Sequence, residues 1–168
     1  MKIKDFMKIK TLFEYTQDEN EIARELLKLN KELKLKQSKE LANEYVKSIN
    51  NMPDKLIQRF KIAGVEFGII PDFEEMSTAE YLDLDSYQND TQHIDRLMAV
   101  LYRPIIKSKG DKYEIEKYEG SDKYKDVMRE VDSSIFLSAT SFFFHLSALL
   151  LLDLNTSSNK KKKKSQKK

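Results

Sequence analysis

Asp83-Leu84-Asp85, followed by Asn89 and Asp90, has the residue types of a calcium loop. Such a loop needs a glycine at its sixth position for a sharp turn and a bidentate glutamate at its twelfth. Those positions hold Gln88 and Ile94, so the calcium reading fails. Asp-x-Asp also serves metal-dependent transferases, but no second ligand cluster accompanies it, and capping of neighbouring helices accounts for these side chains. Carboxylates recur at Glu74-Glu75, Glu114 and Glu116, none flanked by residues that would raise a carboxyl pKa. The histidines are His93, near the start of a surface helix, and His145, in a serine stripe that suits a half-buried, hydrogen-bonded ring. The chain has no P-loop, GxGxxG, HExxH or GxSxG. It has no cysteine, which removes disulfides, thiol catalysis and Cys-based zinc sites. The expectation is a non-enzymatic protein with no catalytic residue, no cofactor and no metal.

The elements around these residues are clearest between Arg59 and Ile106. Phe60, Ile62, Val65, Phe67 and Ile69 alternate with Lys61, Glu66 and Gly68 around Ala63-Gly64, which predicts a β-hairpin. Pro71 lacks an N–H and ends the second strand. Ser77 and Glu80 have capping-box spacing for a short helix over 78–82. Asn89, Asp90 and Thr91 offer caps for a stronger helix, in which Ile94, Leu97, Met98 and Leu101 recur at helical spacing. Arg103-Pro104 stops it, because a residue before proline is pushed out of the α region.

This stretch resembles small proteins of tailed bacteriophages, described as tail assembly chaperones or virion-associated proteins. The resemblance rests on the Gly-containing strand pair, then MSTAEYLDLDSY, then HIDRLMAVLYRPI. Its positions are Gly64, Phe67, Glu80, Tyr81, Asp83, Leu84, Leu97, Met98, Ala99, Leu101, Arg103 and Pro104, about a third of the chain. It implies a soluble virion (tail) assembly protein that binds another structural protein, as chaperone or minor component, in the cytoplasm of an infected bacterium or in the virion.

On the N-terminal side, residues 2–9 alternate and suggest an edge strand or extended arm. Ile22, Leu26, Leu29 and Leu33 predict an amphipathic helix over 20–34. Ser38 is placed to cap a second, with Leu41, Ala42, Tyr45, Val46 and Ile49 as its apolar face, and a short helix over 54–58 follows. After Pro104, Lys109-Gly110-Asp111 is a turn and Tyr113, Ile115 and Tyr118 suggest a short strand or an anchored loop. Gly120-Ser121-Asp122 then caps a helix carrying Tyr124, Val127, Met128 and Val131.

Residues 133–152 carry no Asp, Glu, Lys or Arg. Twenty such residues before a lysine cluster fit a transmembrane helix, the alternative reading being a small membrane-anchored protein held by 133–152. Against this, Ser134, Ser138, Ser141, His145 and Ala148 form one narrow small and polar stripe, which a buried helix of a soluble protein would turn to a close helix contact or to solvent, and which a membrane helix could also use to associate. The last nine residues, 160–168, hold seven lysines and no acid, leaving 23 basic against 28 acidic residues elsewhere, a net of −5. The N-terminus has no secretory pattern.

The resulting expectation is a mainly helical α+β domain over 1–154, with one small hairpin, and a disordered basic tail over 155–168. Expected core residues are Val65, Phe67, Leu97, Met98, Leu101, Val127, Phe142, Phe143, Leu146 and Leu149. The candidate protein-binding residues are Phe142, Phe143, Leu146, Leu149 and Leu150. Lys160, Lys161, Lys162, Lys163 and Lys164 are candidates for nonspecific nucleic-acid or anion contact. The expected partner is another virion or tail protein, with a homo-oligomer as a further option.

Overall fold

The computed structural model describes residues 1–88 and 90–145. Among these it contains helices α1 (Ile3–Tyr15), α2 (Glu19–Leu29), α3 (Leu35–Asn50), α4 (Thr78–Tyr87), α5 (Ile94–Leu101), α6 (Lys125–Arg129) and α7 (133–145). Its strands are β1 (Arg59–Ile62), β2 (Val65–Ile69), β3 (Tyr102–Lys109) and β4 (Lys112–Ile115). This is the mainly helical α+β class the sequence predicts.

Helix α5 is the axis of the core. All its residues except Arg96 are buried, because the apolar stripe of Ile94, Leu97, Met98 and Leu101 meets the sheet, α1 and α6 at once. Asp90 caps the 3-10 turn that leads into it, accepting from the Gln92 N–H at 2.8 Å. Helix α4 begins with the expected capping box: the Ser77 N–H donates to Glu80 at 2.7 Å and the Glu80 N–H to Ser77 Oγ at 3.3 Å. The helix runs to Tyr87, five residues past the expected end.

The hairpin forms as predicted. Ala63 (φ 49°) and Gly64 (φ 79°) are both left-handed, as a two-residue turn matched to strand twist requires. The sheet is larger than one hairpin: all four strands pair antiparallel in the order β1-β2-β3-β4. Strand β3 starts immediately after α5, at Tyr102. The pre-proline restriction that ends the helix also puts Arg103 in extended backbone, so Pro104 marks a strand as well as a stop. Val65, an expected core residue, is 43% exposed because it lies at the hairpin tip.

Other expectations need correction. Residues 3–9 are helical, and only Lys2 is extended, in a single antiparallel bridge with Asp132: Ile3, Phe6 and Ile9 are fully buried on α1, and Leu12 and Phe13 continue the stripe beyond the alternating window. Phe6 sits between Tyr45 and Phe136, at ring distances of 4.9 and 5.7 Å. The Met1 ammonium pairs with Glu44 (2.8 Å) and Asp132 (3.0 Å), which clamps α1 against α3 and the start of α7. Helix α2 ends at Leu29, before Lys34, where its apolar stripe runs into solvent and Leu29 is 67% exposed. Ser38 is no cap. It is buried inside α3, which starts at Leu35 where the Lys34 N–H donates to Gln37 at 2.8 Å. Residues 54–58 form no helix. They are pinned across the core instead: the Ile57 N–H donates to Ser138 Oγ (3.1 Å) and Tyr102 donates to the Ile57 carbonyl (2.8 Å).

Helix α7 enters the core. Ile135, Leu137, Ser138, Ala139 and Ser141 are buried among α1, α5 and the sheet-proximal loops. Among the described residues, no helix is long and apolar enough to cross a membrane. Of the segment 133–152, residues 146–152 lie outside the described residues, as does the tail 155–168.

Candidate protein-binding cleft

The polar candidates are committed to the fold. Asp83 and Asp85 lie inside α4 instead of capping neighbouring helices as expected. Asp83 accepts from the Tyr118 hydroxyl, and Asp85 accepts from Gln88 Nε2 at 2.8 Å. His93 Nδ1 meets Asp90 at 2.6 Å, and this bond, with that from the Gln92 N–H, holds the Asp90 carboxyl below its ordinary value. His145 Nδ1–H donates to the Ser141 carbonyl at 2.8 Å. Glu114 pairs with Lys107 (2.9 Å) and Glu116 with Lys123 (2.9 Å).

A cleft of about 530 Å³ between the 70–77 loop and β4 has Glu80 and Arg103 at its base. Arg103 is spent on three partners: Glu80 at 2.5 Å, the Val100 carbonyl at 2.9 Å and the Glu116 carbonyl at 2.8 Å. Burial pushes the Glu80 carboxyl up, but hydrogen bonds from Ser77 and the charge of Arg103 outweigh it and hold the group below the usual carboxylate range. An ionised, doubly bonded carboxylate is a poor general base. Among the described residues, every buried polar side-chain atom has a hydrogen-bond partner. The geometry of this cleft therefore reads as structural.

The surface between α4 and α7 differs. Two apolar hollows, of about 500 and 280 Å³, share Leu84 and Phe143. Phe73, Met76, Thr78 and Tyr81 line the first; Gln88, Leu97, Leu101 and Phe136 line the second, with Ala139 and Thr140 from α7. Phe143 packs edge-on against Phe73, ring centroids 5.3 Å apart, and against Phe142 at 5.5 Å. Phe142 and Phe143 are half-buried at the margin of the core. Within the lining Tyr81 is 60% exposed. Adjoining apolar hollows open at the surface are a more informative candidate for binding than scattered single apolar residues.

Of the predicted protein-binding residues, the structure places Phe143 in this cleft, whereas Phe142 lines a separate hollow with Phe73, Ile70 and Tyr113. Leu146, Leu149 and Leu150, and Lys160 to Lys164, lie outside the described residues. The second wall, formed by Phe73, Met76, Tyr81 and Leu84, was missed as a binding surface. Comparisons with protein-family models, with characterised proteins and with solved structures find no match.

Proposed function

We propose that this chain is a non-enzymatic assembly protein that shields an apolar segment of another structural protein in the α4–α7 cleft. The carrying observation is the pair of apolar hollows joined at Leu84 and Phe143, on a domain whose polar clusters are occupied with their own hydrogen bonds. Each large side chain covered there contributes about 1.5–3 kcal/mol. Association costs about 4–15 kcal/mol in lost freedom, so a client must cover several of these residues together. Helix-in-groove recognition does this with anchors at helical spacing.

The resemblance to tail assembly chaperones and minor virion proteins of tailed phages supports the choice of client, a virion or tail protein met in the cytoplasm of an infected bacterium. The resembling positions include residues that brace α4: Glu80 with Arg103, Asp83 with Tyr118, and Leu97, Met98 and Leu101 beneath it.

The test is pairwise co-expression of the full chain with individual tail and capsid proteins, read by size-exclusion chromatography with light scattering. A stoichiometric complex that is lost in Leu84→Asp, with the circular dichroism spectrum retained, supports the proposal. Recovery of the chain only with membranes would instead favour an anchor at 133–152.

A further inference from the structure

The turn between α2 and α3 sets leucines and lysines together at one end of the helix pair. It is short and ordered: Asn30 accepts from the Glu32 N–H through its side chain (3.1 Å) and from the Leu33 N–H through its carbonyl (3.1 Å). Leu29 closes α2 and Leu35 opens α3, and they are 67% and 52% exposed. Leu33 between them is half-buried. The packing face of α2 is complete without them, in Ile22, Ala23 and Leu26. Lys28, Lys31, Lys34, Lys36 and Lys39 lie in the same stretch, all exposed, against one acid, Glu32. Lys28 pairs with Glu25 (2.6 Å) and Lys36 with Glu40 (3.8 Å). Among the described residues, Lys31, Lys34 and Lys39 enter no ion pair. From Arg24 to Glu40, six basic side chains stand against three acids, so a net of +3 remains with both pairs included.

We infer that this hairpin tip docks on an anionic phospholipid bilayer, its leucines entering the headgroup region and its lysines meeting the lipid phosphates. A bilayer uses both residue types: binding grows with the apolar area buried and with attraction to anionic headgroups. Lysine stems lie along apolar surface while their ammonium groups reach outward to charge. Protein interfaces are depleted in lysine. A nucleic acid would use the lysines and leave the leucines in water, and 28–39 holds no arginine or aromatic side chain to stack on bases. The tip shares no residue with the α4–α7 cleft, so the inference does not depend on the client reading.

The experiment uses the full chain and vesicles of phosphatidylcholine, alone or with about 30% phosphatidylglycerol, read by flotation. The chain has no tryptophan, so Leu35→Trp gives a single reporter at the tip. Tyr15→Trp, exposed beyond the opposite end of α2, gives the control. The expected result is flotation with the anionic vesicles alone, with the Leu35→Trp emission moved to the blue and the Tyr15→Trp emission unmoved. Each lysine near the surface is worth about fivefold in partitioning, so changing Lys31, Lys34 and Lys39 together to Gln should weaken it about a hundredfold at low salt. Leu29→Ser with Leu35→Ser should weaken it about tenfold or more. All five side chains are exposed and outside the ion pairs, so both variants should keep the circular dichroism spectrum. Leu84→Asp should leave vesicle binding unchanged.

Failure to float with anionic vesicles overturns the proposal, and so does equal flotation with neutral ones. Flotation with the Leu35→Trp emission unmoved shows adhesion by charge alone and overturns it; duplex DNA bound as tightly through the same lysines would then name a phosphate backbone as the partner. Flotation kept by both tip variants and lost when Lys160 to Lys164 are all changed to Gln assigns the contact to the tail and overturns it. Flotation lost in Leu84→Asp moves the contact to the cleft, with the same consequence. A blue emission from Leu35→Trp without vesicles, in a chain that light scattering shows to be a dimer, overturns it in favour of a second copy.

Discussion

The Glu80 carboxylate and the Arg103 guanidinium meet at 2.5 Å, both side chains less than a tenth exposed. The pair ties the first turn of α4 to the second residue of β3, and so fixes one wall of the apolar cleft to the sheet. Removing one partner leaves the other charge buried. Glu80→Gln is expected to cost about 3–5 kcal/mol in urea unfolding at neutral pH. Its folded pKa is depressed, so the pair's contribution is present above the ordinary carboxylate value and is lost as pH falls through the folded value. The gap between wild type and Glu80→Gln should therefore narrow from about pH 7 to about pH 3. A constant gap would show that the carboxylate's charge contributes nothing.

Gly68 has Tyr113 lying over it. A Cβ there would come within 2.5 Å of the Tyr113 ring and 3.0 Å of Ile105. The ring cannot swing aside freely, because its hydroxyl donates to the Ile69 carbonyl at 2.8 Å and Arg59 stacks on it at 4.4 Å. Gly68→Ala is expected to destabilise by about 1–3 kcal/mol through overpacking. Adding Tyr113→Ala should recover part of that loss, which a double-mutant cycle measures. Strict additivity would place the cost elsewhere.

Ser138 is fully buried and accepts from the Ile57 N–H while donating to the Ile135 carbonyl at 2.7 Å. Ser138→Ala strands a buried amide and should cost about 1–3 kcal/mol. Tyr102→Phe strands the Ile57 carbonyl from the other side, with a cost of the same order. Both changes are expected to accelerate hydrogen exchange in 54–58 before the sheet is affected. Unchanged exchange at Ile57 would show that water satisfies the freed groups.

Tyr81 is exposed and lines the cleft, so stability and binding should separate there. Tyr81→Ser is expected to change unfolding free energy by no more than about 0.5 kcal/mol. It should weaken the client complex by about tenfold, the loss of one apolar anchor. Equal binding by the variant, measured by titration calorimetry, would remove Tyr81 from the docking surface.

What the sequence determined by itself was local. The 60–69 alternation, the Ser77–Glu80 box and the 94–101 stripe each lie within one short window, where spacing and capping chemistry are sufficient, and each formed as read. Residues 3–9 were misread because Ile3, Met7 and Ile9 share one alternating register; Phe6, off that register and three residues from both Ile3 and Ile9, is the position that favours the helix, and Leu12 and Phe13 continue its face. Arg103-Pro104 signalled departure from the helix without saying whether loop or strand came next, and pairing with β2 decided that. The tertiary structure alone brought Glu80 to Arg103 and Ser138 to Ile57, since neither separation has a sequence period. It likewise set α4 against α7, turning an ordinary acidic helix and a phenylalanine-rich one into the two walls of a cleft. A binding surface is made by the packing of distant elements, whereas sequence patterns report the face of one element at a time.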